Sequence, residues 1–412
     1  MDNRIQEWQN LALGLLKPTS SQVAHGRELH RDALVIEAYG FAPRPAVDGT
    51  DLQALIAAGG SSLEVDDRFE EMIMTRAVAD ATERAFCREA WEASGVTCIL
   101  QNAGQEGNSV KRLIKRLARF TWAADMTRDL FRRAATPDDI LSARQDGQRC
   151  LYLTANGVPL PENWNSAEEE LAYVRVFFQL GCRMMHLTYN RRNVIGDGCG
   201  EPTNAGLSDF GRRAVAEMNQ VGVIVDVAHS GHQTSLDAAR FSTMPVVASH
   251  SCCAAVNQHI RAKSDDVIRA IANTGGYIGI CCVPEFLGGT GDIRAFLDHI
   301  DYAIKTFGAD HVAIGTDAAY RSPNQDVEQV KFSRAPQRPR WESLWPEGVC
   351  GTAAGTPDQR KSMAWTNFPI FTIGMLQRGH SDEAIRKVLG LNVLRVARAT
   401  FGAHAPTLPG TV

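Results

Sequence analysis

Residues 223–251, VIVDVAHSGHQTSLDAARFSTMPVVASHS, decide how this chain reads. The stretch holds two short valine-rich runs, Val223–Val227 and Pro245–Ala248, and each leads to a histidine followed by serine, His229-Ser230 and His250-Ser251. A parallel strand pair needs a crossover of about a dozen or more residues, so two such runs with a helix-length connection read as parallel neighbours. Both imidazoles then emerge at the same carboxyl end of one sheet, where open α/β sheets and barrels place their chemistry. A single histidine at a strand end is more often a hydrogen-bonded structural residue; two on successive crossover units point to a site.

The same alternation continues on both sides. Upstream, strand character appears at Ala33–Glu37 (ALVIE), Gly95–Leu100 (GVTCIL), Cys150–Ala155 (CLYLTA) and Cys182–Thr188 (CRMMHLT); downstream it appears at Gly276–Cys281 and Val312–Thr316. Helical periodicity fills most of the gaps, as over 51–93, 110–135, 167–180, 265–273 and 293–307. Eight buried strands alternating with helices predict a (β/α)8 barrel of the TIM type. The organisation read from this is an N-terminal helical extension over 1–32 and one barrel domain over 33–400. An insertion interrupts the barrel at 320–357, and a tail follows over 401–412. The basic face of 110–135 reads as a solvated surface. The long glycine- and asparagine-rich segment after the fourth strand, TYNRRNVIGDGCGEPTNAGLSDFG, reads as a lid or binding loop.

Composition narrows the function classes. With 412 residues, 44% of them hydrophobic and 22% charged, the chain is ordinary for a globular protein. A net charge of −4 and the lack of a basic run with interleaved aromatics argue against nucleic acid as a partner. No stretch approaches the roughly twenty apolar residues that span a bilayer, and the N-terminus lacks the order of a secretory signal. No membrane association and a cytoplasmic location are therefore expected. The ten cysteines include the adjacent pairs Cys252-Cys253 and Cys281-Cys282 but no CxxC, so reduced thiols are expected rather than staples or structural zinc. Trp341 and Trp345 in the late insertion, read as exposed, suit a subunit contact in a homo-oligomer.

Residues just beyond the eight strands are Tyr39, Asn156, Tyr189, His229, His250, Cys281 and Asp317. Neutral imidazole suits zinc, and a nearby aspartate can take a proton as water attacks, so His229, His250 and Asp317 form a candidate metal-hydrolysis set. The alternative for Asp317 is a helix cap or an arginine pair. Arg261, on a loop after the sixth strand, reads as a clamp for a substrate carboxylate or as a surface salt bridge. Cys252 and Cys281 are minor candidates as soft ligand or nucleophile, with a buried apolar filler the more ordinary role.

The segments MNQVGVIVDVAHSG, PVVASHS, HIRAKSDDVIRAIANTGGYIGI, HVAIGTD, LGLNVLRVA and VFFQLGCRMMHLTYNRRNVIGDG resemble the renal (membrane) dipeptidase family, a branch of the amidohydrolase superfamily. The resemblance covers most of the chain in order. It implies a (β/α)8 barrel, usually with two bridged zinc ions, that hydrolyses dipeptides or related amides. It also implies His229 and His250 as ligands of the second metal, Asp317 as proton acceptor and Arg261 as carboxylate clamp. The chain departs from the family pattern at three places. The His-x-Asp pair expected after the first strand is replaced within Glu37-Ala38-Tyr39-Gly40-Phe41. The bridging glutamate corresponds to Asn156, and the substrate-contacting histidine to Tyr189. Without a bridging carboxylate the charge of two dications is not offset, so one zinc at most is expected.

Two functions follow as expectations. One is hydrolysis of an amide in a small carboxylate-bearing substrate, with one zinc at His229 and His250, Asp317 as acid/base, and Arg261, Tyr189 and Asn156 around the substrate. The other is a metal-free barrel using His229, His250, Asp317 and Tyr39 for an elimination, isomerisation or cyclisation, or a non-catalytic binding protein.

Overall fold

The computed structural model describes residues 2–104, 109–333, 344–347, 349 and 355–402. Eight parallel strands run in sequence order around the molecule. They are β1 (Ile36–Gly40), β2 (Cys98–Asn102), β3 (Cys150–Ala155), β4 (Met184–His186), β5 (Ile224–Asp226), β6 (Val246–Cys253), β7 (Ile278–Ile280) and β8 (Val312–Ile314). The ring closes beyond β8, where the Asp317 N–H donates to the Tyr39 carbonyl oxygen at 3.3 Å. Helices follow the strands on the outside, giving the (β/α)8 architecture the alternation predicts.

Period-two alternation sorts the strand residues into two cores. Ile36, Leu100, Tyr152, Met184, Ile224, Val247 and Ala313 meet inside the barrel. Ile99, Leu151, Leu153, Met185, Val225, Val246, Ile278 and Ile314 face the helices. Local signals set the helix ends. Thr136 opens the helix Pro137–Gln145 with a reciprocal capping box to Asp139 and proline in the first turn. Gly222, at φ 94°, closes the helix Asp209–Val221 and turns the chain into β5.

Two irregularities aim the site. The pairing of β6 with β7 slips between Ala248 and Ser251, and that of β1 with β2 slips between Glu37 and Gly40. A bulge re-aims the side chains after it. Val247 points inward, and after the slip His250 joins the barrel interior. Ile36 and Ala38 point inward, and Tyr39 reaches the same interior. The walls are tight here: a Cβ on Gly279 or Gly315 would lie 1.9 or 2.0 Å from the Ser249 carbonyl oxygen.

Several expectations are corrected. β1 and β2 each start three residues later than the apolar runs suggest, at the point where the Val35 carbonyl accepts both the Thr97 and Cys98 N–H groups, at 2.9 and 3.3 Å, and regular pairing begins. β6 runs on to Cys253, since its end pairs with the short strand Ala262–Lys263, so His250 lies within a strand rather than after one. The basic face of 110–135 is not merely solvated. Arg112 and Arg116 of the helix Val110–Met126 pair with Glu70, and Lys115 and Arg119 pair with Asp67, both acids on the helix Ser62–Thr75. Trp345 is buried against Phe286 and His259 rather than exposed, because an apolar ring has partners there; Trp341 lies outside the described residues. The nine described cysteines are free thiols, and Cys350 lies outside the described residues. No described helix is long and apolar enough to cross a membrane.

Candidate functional site

The mouth of the barrel gathers side chains from six strands. His229, three residues past β5, and His250, in β6, meet with their Nε2 atoms 3.0 Å apart. Each imidazole is held on its far side. His229 Nδ1 lies 2.8 Å from Asn190 Oδ1, and His250 Nδ1 lies 2.8 Å from the Ser249 hydroxyl. Such outer contacts fix ring orientation and leave Nε2 facing the interior. Burial drives both imidazoles well below their ordinary pKa, and the nearby Arg261 guanidinium adds to the effect. Both rings are therefore neutral at neutral pH, the form that binds metal or accepts a proton.

Tyrosine rings flank this pair. Tyr39 stacks on His250 with centroids 3.8 Å apart, and Tyr189 stacks on His229 at 4.1 Å. Arg261 is not a surface group. It is buried, donating to the Ala228 carbonyl at 2.6 Å and the His250 carbonyl at 3.2 Å, with Nη2 also 3.2 Å from His229 Nε2. Its Nε–H finds no protein acceptor among the described residues. Asp317 is half-buried at the end of β8, in the left-handed conformation at φ 56°, a region that aspartate tolerates better than most residues. Cys252 and Cys281 are fully buried, and burial pushes the Cys281 thiol up to about 12, which disfavours a thiolate nucleophile.

Asn156, directly after β3, does not stand open to the mouth: its Oδ1 is hydrogen-bonded to His186 Nδ1. His186 was not among the residues singled out from the sequence, nor was Asp226, and the two are register partners on β4 and β5. His186 Nε2 lies 2.6 Å from Asp226 Oδ2, a close contact without the alignment of a good hydrogen bond. Burial works to raise the Asp226 carboxyl, but His186 and Ser249 outweigh it and hold the group below its ordinary pKa. One donor atom each from His186, Asp226 and His250 lie within 4.8 Å of one another, all buried. The signal for both missed residues is a charged or titratable side chain inside an otherwise apolar strand, RMMHLT and VIVDV.

Glu37 completes the polar inventory but faces away from the mouth. Its Oε2 accepts the Trp365 indole N–H at 2.8 Å and its Oε1 accepts the Thr316 hydroxyl. Burial raises its pKa to about 8.

The sequence profile of the membrane dipeptidase family, peptidase family M19, matches residues 79–332. Dipeptidase verJ of Clonostachys rogersoniana is 30% identical over 226 residues, covering 54% of this chain and 50% of that protein. An uncharacterized dipeptidase of Schizosaccharomyces pombe is 29% identical over 273 residues, covering 64% of this chain and 56% of that protein. The matched region thus spans about half the length of these relatives. Among solved structures, an amidohydrolase from Pseudomonas aeruginosa superposes with a TM-score of 0.68 at 25% identity, covering 92% of this chain and 99% of the other. A metallo peptidase from Rhodobacter sphaeroides, liganded with a phosphinate mimic of the dipeptide L-Ala-D-Ala, shares the fold. It has a TM-score of 0.61 and 18% identity, and the match covers 90% of this chain and all of the other.

Proposed function

The chain belongs to the membrane dipeptidase family, and on that premise we propose that its barrel mouth hydrolyses an amide bond in a small carboxylate-bearing substrate, with at most one zinc ion. The observation that carries the reading is the convergence of two neutral, buried imidazoles, His229 and His250, with Nε2 atoms 3.0 Å apart beside Arg261. Two ions do not fit the donors present. Tyr39 fills the space over His250, Asn156 is a neutral amide engaged with His186, and Phe41 offers no donor. One ion does fit, with His250 and His229 as the imidazoles at the mouth. When bound, zinc would acidify a water molecule and polarise a carbonyl.

The chain's own residues supply the rest. Asp317, half-buried at the rim, takes the proton as water attacks and returns it to the departing nitrogen. Arg261, whose Nε–H has no acceptor among the described residues, would bind a substrate carboxylate in a bond strengthened by charge. Tyr189 and Tyr39 wall the mouth and exclude water through their stacks on the histidines, and Asn156 lies beneath the substrate. The test is elemental analysis of protein purified without chelators, paired with hydrolysis of a panel of dipeptides and N-acyl amino acids. The expected result is no more than one zinc per chain and a hydrolysis that chelation removes. Zinc-loaded protein that cleaves no member of the panel overturns the reading.

A second reading, a metal-free acid–base catalyst for an elimination, isomerisation or cyclisation, is favoured by one contact. Arg261 Nη2 sits 3.2 Å from His229 Nε2, so a guanidinium already occupies the cation's side of that imidazole. An activity indifferent to chelation but lost in His250→Ala would select it.

A further inference from the structure

We infer that the metal ion of this barrel is bound by His186, Asp226 and His250, a set seated on β4, β5 and β6, rather than by the mouth pair alone. The inference rests on the single-ion reading above and names ligands which that reading does not include.

The three side chains are oriented toward one point. Asp226 Oδ1 accepts the Ala228 N–H at 2.9 Å and the Ser249 N–H at 3.1 Å, and Oδ2, 2.6 Å from His186 Nε2, has no aligned donor among the described residues. His186 has its Nδ1 held by Asn156, and its Nε2, 2.6 Å from Asp226 Oδ2, has no aligned partner among the described residues. His250 has its Nδ1 held by Ser249. Each member of the cluster is thus fixed by an outer partner, while His186 Nε2 and Asp226 Oδ2 face each other at 2.6 Å and His250 Nε2 faces the neighbouring imidazole of His229 at 3.0 Å. That is how protein metal ligands are built, with a second contact setting the tautomer and aim of the first. Asn156 becomes an orienting group for a new ligand, His186.

Charge favours the same three residues. A fully buried carboxylate needs compensating charge and donors, and a metal ion shared with two imidazoles would supply it. Two imidazoles with one carboxylate are a familiar zinc set, whereas two imidazoles alone hold zinc weakly. His229 is the poorer ligand because a guanidinium nitrogen of Arg261 lies 3.2 Å from its Nε2, whereas His250 Nε2 meets only the imidazole of His229. The three donors arise from strand parity: His186 and Asp226 follow the inward-facing Met184 and Ile224 by two residues, and the β6 bulge brings His250 to join them.

The test uses the full chain, stripped with a chelator and titrated with Zn(II), and with Co(II) for its visible d–d absorption. His186→Gln and Asp226→Asn are compared with His229→Gln. Thermal unfolding of each metal-free protein checks that it folds. The first two variants are expected to weaken binding by more than the about 10–100-fold that loss of an outer partner costs, and to abolish the Co(II) band. His229→Gln is expected to retain one equivalent. Wild-type affinity in His186→Gln and Asp226→Asn, with binding lost in His229→Gln, overturns the inference, as does a wild-type protein that binds neither ion. If a variant fails to fold, anomalous scattering from a zinc-soaked wild-type crystal decides between the two positions. Hydrolysis is not the readout, so a protein that binds zinc at this cluster but cleaves no dipeptide sinks the hydrolase reading and leaves the site standing.

Discussion

The two sides of the barrel mouth have the same backbone and opposite chemistry. On the β5–β6 side, His229 and His250 face the interior as neutral imidazoles with Arg261 beside them. On the β1–β3 side, where the family resemblance implies metal ligands, stand Tyr39 and Asn156. The substituted side is not left empty. The Tyr39 ring lies 3.8 Å from the His250 ring, and aromatic stacking of this kind contributes about 0.5–1.5 kcal/mol beyond its burial. Asn156 binds His186. Tyr39 and Asn156 thus each contact a histidine of the mouth. The prediction is an asymmetry: substitutions on the β5–β6 side should remove function, and those on the β1–β3 side should weaken it.

The largest expected effect is at His250, which touches the mouth pair, the buried cluster and the Tyr39 stack. His250→Ala should lower kcat/KM for the best dipeptide substrate by about 10⁴-fold or more, equivalent to about 5.5 kcal/mol of transition-state stabilisation. A loss under tenfold in a folded variant would break the comparison. Next comes Asp317, whose proposed role is proton transfer alone. Asp317→Asn should reduce kcat by about 10²–10⁴-fold with KM little changed, since general acid–base groups act in the transition state. A change confined to KM would assign Asp317 to binding. Asn156→Ala, on the opposite side, should cost about 10–100-fold at most, through a looser His186. An effect equal to that of His250→Ala would show that the two sides work as one unit.

Much of this arrangement is legible in the sequence, and the part that is not has a physical cause. Eight apolar runs separated by helical periodicity identify the barrel, because a parallel strand must be buried on both faces and a crossover must be long. The mouth histidines are legible because each closes or extends a valine-rich run. His186 and Asp226 escape a scan of residues that follow strands, since both lie inside the ladder as its last paired residues. Strand parity would have found them, given that Met184 and Ile224 point inward. His250 escapes parity, because the slip between Ala248 and Ser251 is visible only in the pairing. The burial of Arg261 escapes too: in HIRAKSDD nothing distinguishes an arginine that reaches carbonyl groups of the barrel from one in solvent.

The smallest predicted effect concerns stability and lies on the β1–β3 side. Glu37 belongs to β1, yet its carboxyl turns from the mouth toward Trp365 and Thr316. Burial raises its pKa to about 8, far above its ordinary value near 4.5. A carboxyl raised in this way binds its proton more tightly when folded than when unfolded. Its contribution to stability is therefore fully present below the ordinary value and is lost as pH rises through about 8. Glu37→Gln keeps an oxygen for the indole N–H and offers an amide to Thr316, but has no ionisation. Urea unfolding midpoints of the two proteins, measured at intervals between pH 5 and 9, should move apart as pH rises, with the parent falling relative to the variant by an amount equivalent to a few kcal/mol. The comparison cancels groups common to both, including His229 and His250, whose lowered pKa values instead cost stability as pH falls below the usual imidazole range. Parallel curves would mean that Glu37 ionises as readily in the folded chain as in the unfolded one, and that the first strand has kept an anionic carboxylate after all.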